Sequence, residues 1–338
     1  MGLKMMKQKF TPNRIKKLLC TVIIAAVFVL PLASCSDVSD TPSSKISIVT
    51  TIFPAYDFAR EIAGGKADIK MLLKPGAEAH SYEPTPQDII AIQNCDVFVY
   101  TGGESDEWVK EILSSIDASE IRVVPMIECV DAVEEDIIEG MEVRGEADEE
   151  EEQRDTEEGA YEPEYDEHVW TSPVNAQKIT ESVSEAIIEK DLANAQYYSG
   201  RTYDYLNKLA ALDKEFREIV NHAQRRIIVF GDRFPCRYFA DEYGLKYYAA
   251  FPGCSSETEA SAKTISFLID KVNDENIPVV LYPELSNKKV AVTICESSGA
   301  VPMRFNSCHN VSSDEFKDGA TYLSLMRDNI DVLRAALN

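Results

Sequence analysis

Apolar and polar positions switch period repeatedly along this chain, and the switches mark out two runs of alternating strands and helices. Residues 45–51 (KISIVTT) alternate and are rich in β-branched side chains, which predicts a strand. Residues 55–63 carry helical spacing and stop at Gly64-Gly65. A strand is then expected over 68–73, a helix over 87–94, a buried strand over 97–100, a helix over 107–115 and a strand over 122–124. The second half repeats the style, with strands over 226–230 (RIIVF), 245–248 and 278–282 (PVVLY) and helices over 237–243, 259–272, 288–298 and 320–337. Such alternation predicts an α/β chain of two lobes, each a mainly parallel sheet flanked by helices.

A different pattern separates the two runs. Tyr198, Thr202, Tyr205, Leu209, Leu212, Phe216 and Ile219 recur at steps of four and three, and no Pro interrupts residues 193–222. That spacing keeps one stripe facing inward along a single long helix. The expected layout is an N-terminal lobe over 45–192, a linking helix over 193–222 and a C-terminal lobe over 223–338. A stiff helix between lobes leaves a cleft whose width changes little.

The first residues set the compartment. Lys4, Lys7, Lys9, Arg14, Lys16 and Lys17 precede an apolar run over 18–30, and Leu32-Ala33-Ser34-Cys35 follows. A basic start, a short apolar run and small residues describe a secretory leader over 1–34 rather than a membrane-spanning helix. The last four residues resemble a bacterial lipobox, which would put a lipid on Cys35; ordinary leader cleavage is the plainer alternative. Residues 35–44 then read as a flexible tether. The expectation is a chain outside the cytoplasmic membrane, anchored on its outer face where Cys35 carries the lipid.

Charge narrows the partners. Net charge is −24, and removing the six basic residues of the leader leaves −30. Residues 134–167 hold eighteen Asp or Glu against two Arg. A chain this acidic is a poor partner for nucleic acid and suits cations. The tract itself reads as a solvated acidic loop over 134–166 with a mild electrostatic role.

Only four histidines are present. Two stand in constrained loops: His80 in PGAEAHSYEP and His168 in DEHVWTSP. Neutral imidazole on such a loop is the commonest transition-metal ligand. His222, at the end of the long helix, reads as a surface residue near the helix C-terminus. Glu83 and Glu167 beside the loop histidines are candidates to orient a ring, whereas Tyr82, Trp108 and Trp170 read as packing.

These segments together resemble the zinc/manganese solute-binding lipoproteins of bacterial metal ABC importers, the type with a rigid inter-lobe helix. The resemblance spans about 45–337 and rests on the Cys35 tether, VTTIFPAYDFAREIAG, PGAEAHSYEPTPQDI, DEHVWTSPVNA, the long helix, RYFADEYGL and YLSLMRDNIDVL. It implies four metal ligands between the lobes, two from each, with His80 and His168 as the first pair. His309, in NSCHNVS, falls near the family's acidic ligand. The third family ligand, a His or Glu, falls on Arg233, whose guanidinium stays protonated and cannot bind a metal. Asp232 next to it is the candidate, with Cys236 and Glu284 as weaker substitutes. The family's loop insertion is often rich in histidine, but here no histidine precedes His168 in the tract.

Three imidazoles with one carboxylate suit Zn2+, whereas two histidines with two acids suit Mn2+ better. The resemblance therefore implies a zinc-preferring receptor, Mn2+ being the second choice, that works as a monomer with an ABC permease and its ATPase and catalyses nothing. Two alternatives come from other classes. An extracellular zinc hydrolase would need an open coordination position and a general base, and HExxH is absent. A metal-dependent surface adhesin could share the fold. Of eight cysteines, Cys20 lies in the leader, while Cys254 and Cys308 are candidates for a disulfide fixing the His309 loop; alternatively, Cys308 is a soft ligand.

Overall fold

The computed structural model describes residues 45–80, 82–141, 165–255 and 259–338. The expected leader, the Cys35 tether and most of the acidic loop lie outside these residues.

Two four-stranded parallel sheets carry the described chain. The first runs in the order β2-β1-β3-β4, from β1 (Ile46–Thr50), β2 (Ala67–Met71), β3 (Val97–Tyr100) and β4 (Arg122–Pro125). The second repeats this order as β6-β5-β7-β8, from β5 (Ile227–Arg233), β6 (Lys246–Phe251), β7 (Val279–Tyr282) and β8 (Val301–Arg304). Parallel neighbours need crossovers, and helices supply them: α1 (Phe53–Ala63), α2 (Pro86–Gln93) and α3 (Glu107–Ser115) in the first run. Further helices are α4 (Pro173–Lys190), α5 (Ala195–Asn221), α6 (Arg237–Tyr243), α7 (Ala262–Asp274), α8 (Lys289–Ser298), α9 (Ser313–Lys317) and α10 (Tyr322–Leu337). The two-sheet α/β architecture is as the sequence predicts.

All seven stripe residues of the long helix α5 are buried, and Val220 joins them. This helix packs on α1, α4 and α10, so it touches elements that serve both sheets. Besides the short α9, two features escaped the sequence reading. The first is α4, an 18-residue helix capped by Ser172, whose hydroxyl accepts from the Val174 and Asn175 backbone N–H groups. The second is β8, which holds Pro302 and is largely exposed, as suits an edge strand without apolar alternation.

Hydrogen bonds tie the two halves together around the strand ends. Asp57 accepts from the Tyr322 N–H at 2.7 Å. Asn310 Nδ2 donates to the carbonyls of Lys74 and Ala77 at 2.9 and 2.8 Å. The Gly76 N–H donates to the Val311 carbonyl at 2.7 Å. Gly76 has φ +84°, so the loop that leads to His80 turns at a position where a side chain would be strained. No described helix is long and apolar enough to cross a membrane.

Candidate metal centre

Loops leaving the carboxyl ends of the parallel strands build the site, where open α/β sheets commonly bind their ligands. His80 lies on the loop after β2 and His309 on the loop after β8; His168 begins the short 3-10 turn Val169–Thr171 that leads into α4. Three residues far apart in sequence thus meet. Ring centroids are 5.5 Å apart for His80 and His168, 4.9 Å for His80 and His309, and 5.1 Å for His168 and His309. One donor nitrogen from each lies within 4.8 Å of the other two. A tetrahedral zinc with bonds near 2.0–2.1 Å wants its nitrogens about 3.4 Å apart, so a small inward movement would close the set.

Neighbouring groups fix how the rings present their nitrogens. Asp166 Oδ1 accepts from the His168 backbone N–H at 2.8 Å and stands 3.1 Å from His168 Nδ1. That pairing puts the proton on Nδ1 and leaves Nε2 as a lone pair, the arrangement that a metal-binding imidazole uses. Nε2 of His168 is buried and has no hydrogen-bond partner among the described residues. Orphaned buried polar atoms are rare and costly, and a bound cation would satisfy this one. His80 Nδ1 sits 3.0 Å from Ser105 Oγ, which likewise leaves Nε2 for the centre. Trp170 covers the rings of His168 and His309, with centroids at 5.6 and 5.0 Å, and its Nε1–H donates to the Ser307 carbonyl at 2.8 Å.

Glu284 anchors the His309 loop. Its carboxylate accepts from the Ser307 N–H at 2.6 Å, the Ser307 hydroxyl at 2.7 Å and the His309 N–H at 2.8 Å. It borders the cavity of about 40 Å³ that also touches His80, His168, His309, Glu78 and Arg233. Arg233 pairs both Nη atoms with the Glu78 carboxylate at 3.2 Å, so a salt bridge from the second sheet to the His80 loop flanks the centre.

Asp232 does not join the histidines. Its Oδ2 accepts from the Ser286 hydroxyl and its Oδ1 from the Arg233 N–H, and it is absent from the cavity wall. Glu83 is exposed, whereas Glu167 is buried and accepts from the Ser105 N–H at 2.6 Å. Glu167 therefore reaches His80 through Ser105, while the hydrogen bond to the His168 ring comes from Asp166. The residue that orients His168 is Asp166, which sequence reasoning passed over although it stands in the quoted DEHVW segment. The expected disulfide is corrected: Cys254 and Cys308 are both free thiols. Cys308 is packed inside the main hydrophobic core, while Cys254 lies on a partly exposed turn held by its N–H to Glu135 Oε1 at 3.0 Å. Cys236 is buried at the start of α6. His222 is exposed, with Nδ1 on the Glu218 carbonyl at 2.7 Å.

Electrostatics lets only one ring of this trio take up the second proton that would charge it. Burial, then the neighbouring charges of His168 and Arg233, hold the His80 pKa down to about 3. Burial and the other two rings push His309 well below the ordinary imidazole value. Burial opposes charge on His168 too, but the Asp166 carboxylate outweighs it and raises the pKa above 6.5. A cation must displace that single proton. Zinc affinity is therefore expected to fall about tenfold per pH unit below the His168 pKa and to level off above it. Three independent histidines would instead give a slope approaching three; competition titrations across pH 5–8 separate the two.

Comparison with known proteins places the chain in a family. The family model described as ZnuA, zinc-uptake complex component A periplasmic, matches residues 48–336. The chain is 31% identical over 325 residues to the high-affinity zinc uptake system protein ZnuA of Bacillus subtilis, covering 93% of this chain and 96% of that protein. It is 28% identical to the zinc-binding lipoprotein AdcA of Streptococcus pneumoniae, covering 93% of this chain but only 60% of that longer protein. Among solved structures, the metal-dependent lipoprotein YcdH from Bacillus subtilis superposes with TM-score 0.72 at 30% identity, covering 87% of this chain and 100% of that one. The Zn(II)-bound ZnuA-like domain of Streptococcus pneumoniae AdcA gives TM-score 0.70 at 26% identity, covering 87% and 99%. With nearly all of the described chain inside the matched span, the protein belongs to the ZnuA family of periplasmic zinc-uptake components.

Proposed function

We propose that this chain is an extracytoplasmic receptor that captures Zn2+ between its two lobes and hands it to an ABC permease driven by a separate ATPase. The observation that carries the reading is the convergence of His80, His168 and His309, with the buried Nε2 of His168 lacking any partner among the described residues. Three imidazoles favour Zn2+ over Mn2+, which prefers oxygen ligands. A fourth ligand is not drawn from Asp232, which is engaged by Ser286; Glu78 stands on the cavity wall and would have to leave Arg233 to serve. Zinc is cargo here, and the protein's own task is to bind, desolvate and release it without catalysing a reaction.

The reading includes the leader over 1–34, a lipid on Cys35 and the tether over 35–44, supported by the composition of that segment. Relatives named as zinc-binding lipoproteins point the same way. Elemental analysis of purified protein is expected to find one zinc per chain, and Mn2+ in excess is expected to leave that zinc in place. Protein that carries no zinc, or that exchanges it readily for manganese, would contradict the assignment. For the anchor, Cys35→Ala is expected to move the protein from the membrane fraction to the medium or periplasm.

A further inference from the structure

A second set of donors overlaps the histidine centre. His80, Glu167 and Cys254 offer a nitrogen, a carboxylate oxygen and a sulfur that also lie within 4.8 Å of one another. Two close backbone approaches create the set. Gly103, at φ +90°, lies against Glu167, where an added Cβ would meet the carboxylate Oε1 at 2.7 Å. Gly253 lies against His168, where a Cβ would come within 3.2 Å of Cε1 and 2.8 Å of the Phe234 carbonyl. The turn that carries Cys254 can therefore press on the histidines only because the preceding residue has no side chain. On the far side, the Glu135 carboxylate accepts from the Cys254 N–H at 3.0 Å, while burial and the Glu167, Glu135 and Asp166 carboxylates push the free thiol's pKa well above its ordinary value.

We propose that His80, Glu167 and Cys254 form a second, thiolate-containing position for a soft or borderline divalent ion, alternating with the histidine centre and sharing His80 with it. The proposal rests on His80 being a ligand in the reading above. Charge gives the two positions different characters. Three neutral imidazoles bring no charge of their own to a buried dication, which has only the Asp166 carboxylate behind His168 and the Glu284 carboxylate on the cavity wall nearby, whereas Glu167 and Cys254 would supply two negative charges directly to the ion once it has displaced their protons. On binding, the Cys254 thiol releases its proton to solvent as the metal–sulfur bond forms. Two dications on one imidazole would repel, so a single ion occupies one position or the other. An ion held by His80 throughout can exchange His168 and His309 for Glu167 and Cys254 one ligand at a time, without ever being free.

Cobalt(II) tests this in the intact chain, because thiolate ligation adds a near-ultraviolet charge-transfer band to the visible bands of the bound ion. His309→Ala removes one member of the histidine centre and leaves all three donors of the second position. The variant is expected to bind one Co2+ with the thiolate band, and His309→Ala with Cys254→Ser is expected to lose that band entirely. His309→Gln, which keeps a buried polar side chain, replaces His309→Ala should circular dichroism show misfolding. A His309 variant that binds Co2+ without the band, that retains the band after Cys254→Ser, or that binds no Co2+ while the unmodified chain does, overturns the second position and leaves the receptor reading standing. An unmodified chain that binds no Co2+ at all overturns the histidine centre, and the shared position falls with it.

Discussion

His168→Ala is expected to lower zinc affinity by about a thousandfold, or roughly 4 kcal/mol, which is about a third of the binding energy typical of a closed zinc site. The loss of one of three imidazoles carries the effect on affinity, while the Asp166 carboxylate that held its Nδ1, left buried without that partner, lowers the stability of the metal-free protein instead. Competition against a zinc-binding dye measures the change, with circular dichroism confirming that the fold survives. His222→Ala provides the contrast, because that ring is exposed and bonded to its own helix. A His168→Ala protein that binds zinc within threefold of the unmodified chain would mean that the ion sits elsewhere. Asp166→Asn keeps the shape and weakens the carboxylate–histidine pairing, so a smaller loss of about ten- to a hundredfold is expected.

Glu284→Ala should affect both stability and binding. Three donors converge on this buried carboxylate: two backbone N–H groups and the Ser307 hydroxyl. Truncation leaves them unsatisfied and opens a void, a cost of about 3–5 kcal/mol. For a chain of this size, that corresponds to a midpoint lower by on the order of 10 °C in metal-free protein. The same bonds hold His309 at the centre, so zinc affinity should drop as well, even though Glu284 need not touch the ion. Thermal unfolding without metal reads the first effect and dye competition reads the second. An unchanged midpoint together with lost affinity would instead mark Glu284 as a direct ligand whose anchoring bonds contribute little.

The parts of this molecule that periodicity controls could be read from the chain. The long helix is the clearest case, since every residue of the four-three stripe is buried along it. Strands such as 97–100 and 278–282 announced themselves as short apolar runs because both faces of a parallel sheet are covered. β8 did not, because its exposure pattern carries no alternation and Pro302 argues against a strand. His80 and His168 could be nominated because their loops stand between turn formers and match a family pattern, and His309 because it falls near that family's acidic ligand. What the sequence could not supply was direction. Glu167 and Asp166 are neighbours, yet one faces Ser105 and the other the His168 ring. Asp232 and Arg233 are neighbours too, and the arginine is the one that borders the cavity, pointing to Glu78. Such choices depend on how a strand end twists and where a loop returns, which are settled by long-range packing. The two free thiols make the same point: Cys254 and Cys308 both belong to loops near the centre, but Cys308 faces the core and Cys254 faces His80 and Glu167.

Arg233 also changes how the centre should be viewed. A permanent cation beside a cation site would be unfavourable alone, and Glu78 neutralises it at 3.2 Å. Burial raises and Arg233 lowers the Glu78 pKa, with the arginine dominant, so the carboxylate stays ionised. The pair thus closes one side of the cavity while adding no net charge to it.

Anomalous diffraction at the zinc edge from zinc-loaded crystals addresses the histidine assignment without relying on any variant. The account places one peak within about 2.0–2.1 Å of a ring nitrogen of each of His80, His168 and His309. A peak coordinated by none of these rings, or one held only by carboxylates of the acidic tract, would contradict it.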